Sequence, residues 1–191
     1  SPLVSAAAGG DLDAFEVLVR RHQSRIYNFV LRMTDSPEDA AEVIQDVFVA
    51  AFRRLKTFRG KSKFSTWLGA IAVNLSRNRL VKNRRRMANE TPSLDAPVVT
   101  ADGKFCRETV SEEPSALERL ESQALRRAVQ DCIARLPIEF REVVVLRELQ
   151  ELAYDEIADM ISLRAGTVKS RLSRAREAVK QCLQRAMGKL Q

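Results

Sequence analysis

Asp35, Asp39, Glu42 and Asp46 are separated by four, three and four residues, the repeat that places side chains on one face of a helix. A row of carboxylates can bind a divalent cation, serve a magnesium-dependent nuclease together with Glu38, dock on a basic partner, or merely face solvent. Metal ligands must converge on one point, whereas this row spans about 16 Å at 1.5 Å per residue. A basic partner and an ordinary solvated acidic face both stay open for the row. His22 is the only histidine, so a Ser-His-Asp system would have to run through it. It lies in an Arg-rich helical stretch, where a surface or capping role is expected. Cys106, Cys132 and Cys182 are far apart with no CxxC, which argues against a disulfide framework or a zinc ribbon. Neither GxGxxG nor GxxxxGK[ST] occurs, so the phosphate cradles of dinucleotide and P-loop enzymes are missing. No catalytic residue, metal, cofactor or small-molecule substrate is expected.

Charge points elsewhere. The net charge is +7, from 32 basic and 25 acidic residues, and its distribution is uneven. Asp35 to Asp46 holds five acids and no base, Arg53 to Arg86 twelve bases and no acid, and 164–191 eight bases and one acid. Two positive blocks, each beside an acidic one, point to two surfaces that meet a polyanion, nucleic acid above all.

These charges need scaffolds, and the periodicity is helical almost throughout. Phe15, Leu18, Val19, Ile26, Phe29 and Val30 form one stripe, with Asp11 or Asp13 as its cap. Asp35-Ser-Pro-Glu-Asp reads as a helix entry. The helix after it should bury Val43, Ile44, Val47, Phe48, Ala51, Phe52 and Leu55. A polar break around Gly60 precedes a helix from about 65 to 85 that buries Trp67, Leu68, Ile71, Leu75 and Leu80. From about 89 to 115 periodicity stops among prolines, Gly103 and acids, which predicts a linker between two domains, 1–88 and 116–191. Leu117, Leu120, Ala124, Ala128, Cys132 and Leu136 resume a helical stripe up to Pro137, and core packing explains Cys132 there better than redox chemistry. Helices are expected near 139–149, 153–161 and 166–187. The fold class is all-α: two small helical domains joined by a flexible linker. The longest apolar run is Val47 to Phe52, and the opening residues lack an n-region and h-region, so neither a membrane span nor a signal peptide is expected.

The last two helices make a pattern of their own. Ile157, Ala158 and Ile161 face one way, Ser162-Leu-Arg-Ala connects, and Val168, Leu172, Ala175, Val179 and Leu183 follow at helical spacing. The opposite face of the second helix carries Lys169, Ser170, Ser173, Arg174, Arg176 and Lys180. Two short helices with a tight turn, the second exposing Arg, Lys and Ser, have the build of a major-groove reader.

Leu152-Ala-Tyr-Asp-Glu-Ile-Ala with Gly166-Thr-Val-Lys-Ser-Arg-Leu-Ser-Arg-Ala-Arg resembles the promoter-reading helix-turn-helix of bacterial RNA polymerase sigma factors. Asp35-Ser-Pro-Glu-Asp-Ala-Ala-Glu-Val-Ile-Gln-Asp-Val-Phe resembles that family's polymerase-binding helix. Phe58-Arg-Gly-Lys-Ser-Lys-Phe-Ser-Thr-Trp-Leu with Ile71-Ala-Val-Asn resembles its promoter-opening segment. Two domains and a short linker make the chain similar to the extracytoplasmic-function subgroup.

The resemblance implies partners and sites. Core polymerase, through its beta-prime and beta subunits, would meet Asp35, Asp39, Glu42, Gln45, Asp46 and Phe48. The minus-ten element would meet Arg59, Lys61, Lys63, Phe64, Trp67, Asn74, Arg77 and Asn78, with Arg84–Arg86 on phosphates. By its register with Ile71 and Leu75, Trp67 suits the core better than a base stack. The minus-thirty-five element would meet Arg164, Thr167, Lys169, Ser170, Arg171, Ser173, Arg174 and Arg176. It also implies a cytoplasmic protein, a stress or envelope-response regulon, and an anti-sigma factor, often membrane-anchored. A polymerase-independent helix-turn-helix regulator is the alternative. Three positions depart from the family pattern: Glu151 for Gly, Ala153 for Ser, and Arg164 for Pro.

Overall fold

A computed structural model describes residues 2–89 and 116–188, and every regular element among them is helical. The first part comprises α1 (Pro2–Ala8), α2 (Leu12–Thr34), α3 (Pro37–Arg54), a 3-10 turn (Leu55–Thr57) and α4 (Phe64–Asn89). The second comprises α5 (Ala116–Ala134), α6 (Ile138–Val144) running into a π turn (Val145–Leu149), α7 (Tyr154–Ile161) and α8 (Ala165–Met187). Apart from Asn89, which ends α4, the expected linker lies outside the described residues. No helix among them is long and apolar enough to cross a membrane.

Caps decide where the helices begin. Asp11, rather than Asp13, accepts from the Ala14 N–H at 3.0 Å and starts α2. Ser36 starts α3, its hydroxyl accepting from the Asp39 N–H at 3.1 Å, with Pro37 in the first turn, where the missing N–H costs nothing. Asp35 instead ends α2 in the left-handed region (φ 57°), its N–H donating to Leu31 O at 2.8 Å. This corrects the row of four carboxylates. Asp39, Glu42 and Asp46 ride on α3, whereas Asp35 sits before the chain reversal, which a count of residues cannot register.

Ile26, Phe29, Val30 and Met33 of α2 pack with Val43, Val47 and Ala51 of α3 and with Leu68, Ile71, Ala72 and Val73 of α4. Phe52 departs from expectation at 43% exposed, lying edge-on to Phe15 with ring centres 5.0 Å apart. One step past the buried Ala51 turns it about 100° around the helix, out to the rim. Ile44, Phe48, Trp67, Leu75 and Leu80 are half-buried at the core's margin. Ala124, expected on the α5 stripe, is exposed.

The same apolar core runs on into the second part through Ile133, Leu136, Val143 to Leu146, Ile157, Met160, Val168, Leu172 and Ala175. At the seam, α4 meets α7 at Gly69, where a Cβ would stand 2.7 Å from the Met160 Cε. A side chain there would displace the flexible end of Met160. Cys132 is buried on α5 as expected, but it is bonded to Cys182 of α8 across a Cα separation of 5.8 Å. That corrects the unpaired reading: spacing rules register neighbouring cysteines, and these two are 50 residues apart until α5 lies on α8.

Candidate nucleic-acid interface

The α4 end of the interface is built on rings. Gly60 takes φ 68°, a backbone that favours glycine, in the loop before α4. Phe64 and Trp67 pack together with ring centres 5.6 Å apart, Phe58 lies 5.2 Å from Trp67, and His22 lies 5.3 Å from Phe64. Both Phe64 and Trp67 are therefore half-buried, and Trp67 takes the core role its register favoured. His22 is half-buried in mid-α2, not at a helix end, with the Phe64 ring covering one side of it. Burial, with Arg21 and Arg25 nearby, lowers its pKa below the ordinary imidazole value. Arg59, Lys61, Asn74 and Asn78 stand exposed along this end.

Other basic residues on this half are occupied by the opposite half. Lys63 donates to Glu156 of α7 at 2.9 Å. Arg77 donates from Nε to Oε2 of Glu142 at 2.5 Å, and the Glu142 side chain has no exposed surface at all. Arg171 of α8 donates to the other oxygen of Glu142 at 3.4 Å. Arg25 holds Gln150 through its side-chain oxygen (2.7 Å) and its backbone oxygen (2.8 Å). Arg141, itself buried, donates to Met33 O at 2.6 Å, at the C-terminal end of α2 where carbonyls lack helical partners. Burial raises the pKa of the adjacent Asp35 carboxyl, against the pull of Arg141.

On α8 the expected readers divide. Lys169, Ser170, Ser173 and Arg174 are exposed, as is Arg164 at the helix entry, while Thr167 is half-buried. Ser170 returns its hydroxyl to Thr167 O at 3.0 Å. Arg171 faces inward to Glu142, and Arg176 forks onto Glu148 at 2.6 and 3.1 Å. Tyr154 lies beneath Arg147 (4.9 Å) and Lys169 (5.5 Å), both within cation–π range. Ala153 offers α7 no side-chain cap, and only the return bond is made, from the Ala153 N–H to Glu156 at 3.2 Å. Glu151 takes φ 55°, the conformation for which glycine is better suited.

The acidic face of α3 is partly engaged from within. Asp39, 13% exposed at its side chain, accepts from Arg79 Nε at 2.7 Å and Asn83 Nδ2 at 2.5 Å, and Arg79 also reaches Glu42 at 2.6 Å. Gln45 and Asp46 are exposed, and Phe48 is half-buried. The sequence reading missed Glu142, Glu156, Arg79 and Asn83. Glu142 had one visible signal: it is an acid beside the apolar run Val143-Val-Val-Leu.

The model of "Sigma-70 region 2" matches residues 18–86, and that of "Sigma-70, region 4" matches 126–179. Together they take in the α2–α4 bundle and the helix-turn-helix. The ECF RNA polymerase sigma-E factor of Escherichia coli K12 is 39% identical over 177 residues, 93% of this chain and 90% of that protein. The chain belongs to the sigma-70 family, in its extracytoplasmic-function (ECF) group. The sigma-E factor of Haemophilus influenzae is 36% identical over 97% of this chain and 95% of its own. Among solved structures, CnrH in complex with the cytosolic domain of CnrY matches with a TM-score of 0.66 at 26% identity, covering 95% of each chain. The sigma factor RpoE of Bartonella quintana, solved with the anti-sigma factor NepR, has a TM-score of 0.64 at 22% identity and shares the fold, over 89% of this chain and 96% of that one. As a sigma factor, the chain binds core RNA polymerase and directs promoter-specific initiation, which makes it an initiation factor and not an enzyme.

Proposed function

We propose that the exposed row Lys169, Ser170, Ser173 and Arg174 reads the minus-thirty-five element from the major groove, with Arg164 and Thr167 at the helix entry on the flanking backbone. The observation that carries this reading is the division of α8: these four face solvent, while Arg171 turns inward to Glu142 and the exposed Arg176 is forked onto Glu148. Arg174 has the bidentate donors for a guanine edge, and the serines can serve either base of a pair. Asn74 and Asn78, with Arg59, Lys61, Lys63 and Arg77, take the minus-ten element, the amides facing unpaired bases and the cations facing phosphates. Glu42, Gln45, Asp46 and Phe48 dock on the polymerase beta-prime subunit, with Asp39 and Asp35 shaping that face from behind. The chain acts in the cytoplasm, where polymerase and promoter meet, on a stress or envelope-response regulon.

We infer further that this arrangement is the resting state. Lys63, Arg77 and Arg171 face Glu156 and Glu142 rather than phosphates, so DNA must displace internal carboxylates as the halves part. An anti-sigma factor that stabilises this closed seam fits the reading, and the Bartonella relative in fold carries such a partner. The test is transcription reconstituted from this sigma factor, core polymerase and a genomic fragment library. Selected promoters should share two elements, and alanine at Ser173 or Arg174 should change only the upstream preference. Selection of an unchanged upstream element by both variants would remove α8's exposed row from base reading.

A further inference from the structure

The Cys132–Cys182 pair lies outside the residues assigned above to polymerase docking and base reading, and it joins two elements that already pack together. Cys132 lies buried on α5 beside Ile133 and Leu136, and Cys182 lies half-buried near the end of α8, two turns beyond Arg176. Their Cα atoms stand 5.8 Å apart, the separation a disulfide requires. The 50-residue span between them encloses α6, the π turn, α7 and the reading part of α8. Apolar packing of Ile133, Leu136, Leu172 and Ala175 holds the same elements together without the bond. The compartment in which polymerase works keeps thiols reduced by default. A bond there forms when an oxidant arrives.

We propose that Cys132 and Cys182 are a reversible redox site for a hydroperoxide, which staples the helix-turn-helix half shut as a folding unit. Cys182, the more accessible of the two, meets the oxidant first: its thiolate attacks one peroxide oxygen, giving a sulfenic acid and hydroxide. The Cys132 sulfur then attacks the Cys182 sulfur, the S–O bond breaks, and water leaves. The balance is two thiols and one hydrogen peroxide to one disulfide and two waters, with the sulfurs oxidised by two electrons and the peroxide reduced. A dithiol reverses it by exchange. Since both sulfurs lie away from Lys169 to Arg174, the staple stabilises the reader without covering it.

The test uses the full chain with hydrogen peroxide as oxidant and dithiothreitol as reductant. After denaturation, the reduced chain should take three maleimide–polyethylene glycol tags, one per cysteine, and the oxidised chain one. Cys106→Ser should take two tags when reduced and none when oxidised, which separates this pair from any bond to Cys106. Oxidation should raise Tm by roughly 5–10 °C, from the entropy of closing a long loop, and the rise should vanish in Cys182→Ser and Cys132→Ser while their reduced Tm stays close to that of the reduced parent. Minus-thirty-five affinity of the holoenzyme should be the same for both redox forms. Three tags after peroxide, retention of two tags by oxidised Cys106→Ser, or an unchanged Tm would each overturn the proposal.

Discussion

Arg77 and Glu142 meet across the two halves of the chain, guanidinium Nε to carboxylate Oε2 at 2.5 Å, with the Glu142 side chain wholly buried. A carboxylate without water is tolerable only with close cationic partners, and here each half supplies one, Arg77 from α4 and Arg171 from α8. Under the function proposed above, promoter phosphates and Glu142 would compete for the same arginines.

Glu142→Gln should loosen this seam. The substitution leaves two arginines facing a neutral amide, and breaking such a buried pair costs about 3–5 kcal/mol. Tm should fall, small-angle scattering should show a larger radius of gyration, and the free sigma factor should bind a minus-thirty-five duplex more tightly, by roughly tenfold. A compact variant with parental DNA affinity would show that Glu142 serves packing alone.

Asp39 and Gln45 should separate support from docking. Asp39→Ala removes the acceptor of Arg79 and Asn83, so it should destabilise the fold by about 1–3 kcal/mol. Gln45→Ala, on the exposed side of α3, should leave Tm unchanged and weaken core polymerase binding. Thermal melts paired with polymerase titrations decide it, and the reversed pattern would exchange the two roles.

Glu151→Gly should stabilise the helix-turn-helix half. A non-glycine residue at φ 55° carries steric strain of about 1 kcal/mol, from which the greater freedom of glycine in the unfolded chain subtracts part. The net gain should be about 0.5 kcal/mol, seen as a small rise in the denaturation midpoint. A lower midpoint would mean that the Glu151 side chain makes a contact worth more than the strain.

Legibility followed locality. The helices from α2 onward, the polar break at Gly60 and the solvent-facing row of α8 were readable because periodicity and caps are properties of neighbours in sequence. Asp35 misled because α2 ends exactly where the carboxylate spacing carries on, so a regular interval spans a left-handed residue. Phe52 misled because a run of apolar residues longer than the buried face cannot say which member is left at the rim. Glu142, Glu156 and the Cys132–Cys182 bond were out of reach for another reason: each is defined by a partner 29 to 93 residues away. No local pattern brings such pairs together. Only tertiary packing does: of one half on the other for Glu142 and Glu156, and of α5 on α8 for the cysteines.

His22 gives a pH dependence. Burial against Phe64 lowers its pKa in the folded state, so the neutral ring is favoured on folding. That contribution is fully present above the ordinary imidazole range and is lost as pH falls through it. Tm should drop between about pH 7.5 and 5, and His22→Gln should flatten the slope in that window. An identical slope in the variant would place the titration elsewhere.

Base reading by Arg174 is the central step of the proposed function. Holoenzyme titrations of Arg174→Ala on the preferred upstream element and on a scrambled one, at several salt concentrations, measure it directly. The prediction is a loss of about 1–3 kcal/mol on the preferred element, a much smaller loss on the scrambled one, and, for Arg176→Ala, whose guanidinium is forked onto Glu148, little change on either. Equal losses on the two elements for Arg174→Ala, with the salt slope reduced by about one, would make it a phosphate clamp and contradict the assignment.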